Sequence, residues 1–288
     1  MVGYHVHWSG PVNRRHYTAW EILLQILSAK MWAHSFGPIK LICDKKTADF
    51  YKEIGILGIY DDYELFDESI LKGIDPTIYF AAGKLLAQLQ VEDEVCAFID
   101  TDLLIVGDYD FDSSNVTVFH REFPDVSVYP NLWDHWEMEI PHDGDTYPLN
   151  CALVIWPQKE LRRNYASIAL KFMRNNTYYG GYKPNVLMVT AEQRLLGLYL
   201  KHMGIIPEYY IKDIYLSSPE EMETSWGRDG MGSNIQNLNK EFFHLWGHKK
   251  YLLENPMAAA EYTLHLYNMF EKYPELDVES ILQKINSL

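Results

Sequence analysis

Two apolar runs in the first third of the chain each stop on an aspartate: "IKLICD" at residues 39–44 and "EVCAFID" at 94–100. Between and around them lie segments with helical spacing. "KKTADFYKEIG" is stopped by Gly55, and "PTIYFAAGKLLAQLQ" reads as a helix opened by Pro76. Short continuous apolar runs alternating with amphipathic helices predict buried, mainly parallel strands of an open sheet covered by helices. In such sheets ligands gather outside the carboxyl ends of the strands, so Asp44, Asp100 and Asp102 are expected on the functional edge.

The rest of the chain extends this α/β pattern. "GYHVHWSG" reads as a first strand, followed by a helix with Asn13 as its cap and Trp20, Leu23, Leu24, Leu27 and Met31 on its apolar face, ended by Gly37-Pro38. "NVTVF", "CALVIW" and "IIPEYYI" read as strands, "KELRRNYASIALKFMRN" and "AEQRLLGLYLKHM" as helices. Residues 217–240 are polar and Gly/Asn-rich, like a loop or lid, and the C-terminus reads as two amphipathic helices split near Tyr273-Pro274. With 288 residues and 48% hydrophobic content, one substantial globular unit is expected.

Composition narrows the function. A formal charge of −15 excludes a general polyanion binder, because releasing counterions from a phosphate backbone takes a basic surface. Cys43, Cys96 and Cys151 lack metal-type spacing and lie in apolar runs, as reduced core thiols do. The N-terminus carries no signal-type segment and no run is long enough to span a bilayer, so a soluble, cytoplasmic protein is expected. That setting gives the sequons at Asn115 and Asn175 little weight.

"FIDTDLLIVGD" places Asp100 and Asp102 one residue apart at a strand end. In extended backbone Thr101 points away and both carboxylates approach one divalent cation, with hard oxygen donors suited to Mg²⁺ or Mn²⁺ carrying a diphosphate. The bland reading of such a pair is a turn cap or an ion pair. A second motif, "HLWGHKK", spaces His244, Gly247 and Lys250 as H-x-x-G-x-x-K. It offers an imidazole to a metal, a glycine where backbone can approach a ligand, and a lysine for a phosphate oxygen.

With these two motifs in this order, the sequence resembles the GT-A-fold glycosyltransferases, nearest to the retaining family of glycogenin and the bacterial lipopolysaccharide galactosyltransferases. The resemblance runs over about residues 1–250, with 251–288 left as a C-terminal helical extension packed on that catalytic domain. It includes "FAAGKLLAQLQVEDEVCAFIDTDLLIV", with Lys84 where an arginine is usual, "PLNCALVIWP", with Asn150, and "AEQRLLGLYL", with Glu192 and Gln193. Ala152, Glu192 and Tyr251-Leu252 depart from the family's usual residues.

The resemblance implies a GT-A-type Rossmann-like mixed sheet and a transferase moving a sugar from a nucleotide-diphosphate sugar, a UDP-sugar above all, to a glycan, lipid or protein acceptor with retention of configuration. Asp100, Asp102 and His244 would hold Mn²⁺ or Mg²⁺. Lys84, Asp100, Thr101, Gly247 and Lys250 would bind the donor, with Tyr4, His5, His7 and Asp44 lining the nucleotide pocket. Asn150, Glu192 and Gln193 would orient donor or acceptor, and Tyr129, Trp133 and Trp136 would offer stacking surfaces, core packing being the plainer account of each. Specificity would lie in the loops 120–148 and 217–240. Two alternatives stand beside this: a non-catalytic sugar-nucleotide binder on the same fold, and a haloacid-dehalogenase-like phosphatase. The phosphatase motif normally opens its domain and carries Thr or Val where Leu104 stands here.

Overall fold

The computed structural model describes residues 1–10, 17–105, 109–122, 124–143, 145–211, 242–245 and 249–287. In chain order, β1 (Val2–His7), α1 (Ala19–Ser35), β2 (Ile39–Cys43), α2 (Lys45–Ile54), β3 (Asp62–Leu65), α3 (Ala82–Gln90) and β4 (Cys96–Ile99) build the first half. Then come β5 (Leu103–Ile105), β6 (Thr117–Arg121), β7 (Leu149–Trp156), α4 (Lys159–Asn175), α5 (Asn185–Val189), α6 (Leu195–His202) and β8 (Glu208–Tyr209). The last elements are β9 (Phe242–His244), α7 (Lys249–Glu254), α8 (Pro256–Met269) and α9 (Val278–Ser287).

Seven strands form a mixed sheet in the order β3-β2-β1-β4-β7-β6-β8, and β5 pairs with β9 in a separate ribbon. Strands β3, β2, β1 and β4 run parallel, β7 is antiparallel to both β4 and β6, and β8 runs parallel to β6. Successive strand residues face opposite layers. Cys96 and Phe98 of β4 enter the core beneath α3, α4 and α6, whereas Ala97 and Ile99 enter the one beneath α1. That two-sided burial is why "EVCAFID" reads as a continuous apolar run rather than an alternating one. The C-terminal helices close the second layer, with Tyr262, Leu266 and Phe270 of the α8 region and Val278 and Ile281 of α9 packed in it.

Local sequence explains most element ends. Helix α1 begins at a capping box in which the Thr18 side chain accepts from the Glu21 amide and Glu21 reaches back to Thr18. Thr18 is therefore its cap; Asn13 lies outside the described residues. Asp44 caps α2, accepting from the Thr47 amide at 2.7 Å, and Gly55 ends it with φ +86°. Helix α3 starts at Ala82 rather than at Pro76, because the Asp75 carboxylate accepts from both the amide and the hydroxyl of Thr77 and holds that stretch in a turn. The short edge strand β3 has no counterpart in the sequence reading.

One buried cation braces this frame. Arg162 of α4, wholly buried, donates to the carbonyls of Gln88, Val91 and Asp93 at 2.9, 2.5 and 2.8 Å. It satisfies carbonyls at the end of α3 and in the turn into β4, where a positive charge also complements the helix dipole. The strand that carries the acid pair is thereby held at its base. Cys43, Cys96 and Cys151 are buried free thiols.

Candidate functional site

The acid pair occupies the turn between β4 and β5. Its geometry differs from the extended dipeptide expected from sequence. The Leu103 amide donates to the Asp100 carbonyl at 3.0 Å, closing a tight turn through Thr101 and Asp102, so the carboxylates converge by the turn rather than by strand alternation. The Asp100 amide donates to the Ala152 carbonyl at 2.8 Å, anchoring the turn to β7.

His244 arrives from the far end of the chain. Strand β9 pairs antiparallel with β5, setting Leu103 opposite His244, and the Leu245 amide donates to the Asp102 carbonyl at 3.2 Å. One ligand atom from each of Asp100, Asp102 and His244 lies within 4.8 Å of the others. Burial holds the His244 imidazole below its ordinary pKa, so the ring is neutral and keeps a lone pair, and its Nδ1 has no hydrogen-bond partner among the described residues. Two carboxylates and a neutral imidazole are a donor set that fits Mn²⁺ or Mg²⁺.

Three further charged groups surround the pair. Lys84 of α3 is buried, with Nζ 2.6 Å from Asp100 Oδ1 and 3.0 Å from Glu192 Oε1, and it also donates to the Cys151 carbonyl. Burial opposes its charge, but Asp100 and Glu192 outweigh that and raise it above the ordinary lysine value. Burial lifts the Glu192 carboxyl, against the pull of Lys84. On the other side Lys249 of α7 reaches Asp102 Oδ2 at 2.8 Å. Burial pushes the Asp102 carboxyl up, but the Lys249 ammonium outweighs it and holds the pKa below its ordinary value. Val6, His7, Lys84, Asp100, Asp102, Glu192 and Lys249 are among the groups lining a cavity of about 270 Å³ over this turn. At its wall Gly83 permits a close approach, since a Cβ there would lie 2.7 Å from Trp8 Cβ.

The other expected residues fall into three groups. Thr101 lines this cavity, and Asp44 lines a neighbouring one of about 680 Å³ while holding the Ser9 amide at 2.5 Å. Asn150 is buried on β7, donating to Glu122 Oε1 at 2.6 Å, and Gln193 turns away from Glu192 to accept from Tyr129. Residues 190–194 form a π-helical turn, and consecutive side chains on a helix point in different directions. Lys250 is exposed and 3.6 Å from Glu254, and Gly247 lies outside the described residues, as does the expected lid at 217–240. Trp133 and Trp136 are core residues packed edge to face, with the Trp136 indole donating to the Tyr178 carbonyl at 2.7 Å.

Tyr4 and His5 are buried away from the cavity. Tyr4 stacks on Phe98 and donates to Asp93. His5 belongs to a chain of polar groups that the sequence reading missed. Ser28 Oγ donates to the Leu103 carbonyl at 2.5 Å. A carbonyl only accepts, so this bond sets the direction of every other. His5 Nε2 donates to Ser28, Tyr60 donates to His5 Nδ1, the Gln25 amide donates to Tyr60, Tyr51 donates to Gln25 Oε1, His7 Nδ1 donates to Tyr51, and Tyr17 donates to His7 Nε2. Burial lowers His5 to about 3, which keeps it in the neutral form this order needs. Six of these seven hydrogen bonds thus run from His7 on the cavity wall to the backbone that leaves the acid pair.

No protein-family profile matches the chain, and no curated protein matches it. Among solved structures, similarity is found to galactosyltransferase LgtC in complex with donor and acceptor sugar analogues. The identity is 10%, 67% of this chain and 71% of that chain are covered, and the TM-score is 0.40. The PaToxG glycosyltransferase is 14% identical over 70% of this chain and 69% of its own, with TM-score 0.42. Mouse xyloside xylosyltransferase 1, in its apo form, is 9% identical over 85% and 97%, with TM-score 0.44.

Proposed function

We propose that this chain is a metal-dependent glycosyltransferase that moves a sugar from a nucleotide-diphosphate sugar, a UDP-sugar, to a glycan, lipid or protein acceptor, with retention of configuration. The observation that carries this reading is the convergence of Asp100, Asp102 and His244, the histidine coming from some 140 residues further along the chain, with both carboxylates lining the cavity. A divalent cation held by these three would supply Lewis-acid stabilisation to a departing diphosphate.

In this reading Lys84 fixes Asp100 and Glu192 in place, so the Asp100 carboxylate is aimed before the donor arrives. Lys249 offers positive charge for phosphate oxygens at the cavity's other side, and Lys250, exposed next to it, is assigned to the donor on its motif. The nucleoside extends past Trp8 and Ser9 toward the Asp44 cavity, a path favoured by these adjacent residues lining one cavity each. Asn150, Glu192 and Gln193 orient the sugar and its acceptor, Glu192 being the one among them that lines the cavity. Residues 1–250 form the catalytic unit and 251–288 its helical extension. Among the described residues no helix is long and apolar enough to cross a membrane, and we assign the chain to the cytoplasm on its composition.

The test is UDP release from a panel of UDP-sugars, with Mn²⁺ and with chelator, for the wild type and Asp102→Ala. Metal-dependent release from one donor, lost in the variant, is the expected result and identifies the sugar. Metal-dependent UDP binding with no release in the presence of an acceptor panel would replace the transferase by a sugar-nucleotide binder. UDP affinity unaffected by metal in the wild type, Asp102→Ala and His244→Ala alike would remove the site.

A further inference from the structure

The cation site described above already holds a cation. Lys249 Nζ lies 2.8 Å from Asp102 Oδ2, and that same oxygen is the one 3.9 Å from His244 Nε2. The ammonium therefore holds the same Asp102 oxygen that lies nearest His244, an oxygen that a cation held by these residues would draw on. Its counterpart Lys84 bonds Asp100, Glu192 and the Cys151 carbonyl at once and is only 9% exposed, whereas the Lys249 side chain is 52% exposed and has Asp102 as its one ion-pair partner among the described residues. Lys84 is fixed by three acceptors. Lys249 sits on a flexible four-carbon stem at the first residue of a six-residue helix.

Charge points the same way. Asp100, Asp102 and Glu192 carry three negative charges against two ammonium groups, so the protein groups alone come close to balance. A divalent cation that takes Asp102 and leaves the displaced Lys249 ammonium beside it would make the cavity cationic and suited to a diphosphate. We propose that Lys249 is a resident counter-ion that competes with the divalent cation for Asp102. On displacement its ammonium becomes available to the phosphates of a nucleoside diphosphate. Metal and nucleotide then bind cooperatively, since metal alone must break the Lys249 pair while metal with nucleotide gives the ammonium a new partner. The proposal rests on the metal-dependent reading of the site and adds a residue that the H-x-x-G-x-x-K pattern leaves unmarked.

The experiment is Mn²⁺ binding to the full chain by titration calorimetry, with Mn²⁺ alone and with UDP, for the wild type, Lys249→Gln, Lys250→Gln and Asp102→Asn. Lys249→Gln is expected to bind Mn²⁺ alone about tenfold more tightly, the scale of losing one competing charge pair at a largely buried carboxylate. Lys250→Gln, whose charge is exposed and paired with Glu254, is expected to shift by no more than about threefold. The gain in Mn²⁺ affinity brought by UDP is expected to be smaller in Lys249→Gln than in the wild type. Mn²⁺ binding that is lost in Asp102→Asn yet unchanged or weakened in Lys249→Gln would overturn the counter-ion proposal and leave the metal site standing. Absence of Mn²⁺ binding in the wild type and in both lysine variants would instead remove the metal site, and the proposal with it.

Discussion

The two carboxylates of the turn belong to two differently built halves. Asp100 is locked: its amide is bonded to β7, and its side chain is held by a buried lysine that a second carboxylate and a carbonyl also hold. Asp102 is served by groups from after residue 240, a histidine on a three-residue strand and a half-exposed lysine on a short helix. The same pair of residue types, aspartate with lysine, is thus framework on one side and an exchangeable contact on the other. The burial of the lysine and the number of its partners decide which role results, since an ammonium sealed among three acceptors is costly to remove and one that water reaches is less so.

The largest expected effect breaks the locked half. Lys84→Met leaves Glu192 buried without its counter-charge and should cost about 3–5 kcal/mol in urea unfolding, the range for removing one partner of a buried pair. A loss below about 1 kcal/mol would show the halves to be alike.

The layer under the ribbon adds a pH response. Burial lowers both His5 and His120 to about 3. The unfolded chain takes up protons near the ordinary value of 6.5, so between 6.5 and 3 it binds more of them than the native state. Stability is then full above about 6.5 and falls with pH, by up to about 1.4 kcal/mol per pH unit for each histidine. Urea midpoints that stay level from pH 7.5 to 5 would contradict this.

Smaller still, Ser28→Ala leaves the Leu103 carbonyl and the His5 Nε2 hydrogen without partners and should cost about 1–3 kcal/mol. Smallest of all, Lys249→Gln should change unfolding stability by about 1 kcal/mol, because water reaches the lysine end of this pair although Asp102 is buried, even as it alters metal affinity. A loss as large as that of Lys84→Met would place Lys249 in the framework and erase the contrast.

What the sequence made legible follows the same division. Helix α4 falls on the residues its apolar spacing marks, 159–175, and α2 ends at Gly55, because these features depend on neighbours a few residues away. The acid pair and His244 were readable as candidates from residue type and spacing. Their joining was not, because β5 and β9 pair across some 140 residues and nothing local encodes that contact. Lys249 rather than Lys250 reaches Asp102 because α7 begins there, and adjacent helical residues face about 100° apart. The turn at Asp75 and the exposed strand β3 lack an apolar signal of their own and were missed for that reason.

The hydrogen-bond chain from Tyr17 to Leu103 bears on how such a protein can change over generations. Its polarity is set once, at a backbone carbonyl that no substitution can remove, and each side chain inherits its direction from the next. A Gln25→Glu change would supply only acceptors, drawing the Tyr60 hydroxyl away from His5 and stranding that imidazole unless it gained a proton in the core. Residues 5, 25, 28 and 60 therefore mutate as a sentence does, with agreement required of every word, and homologous chains that differ at one of these positions are expected to differ at another.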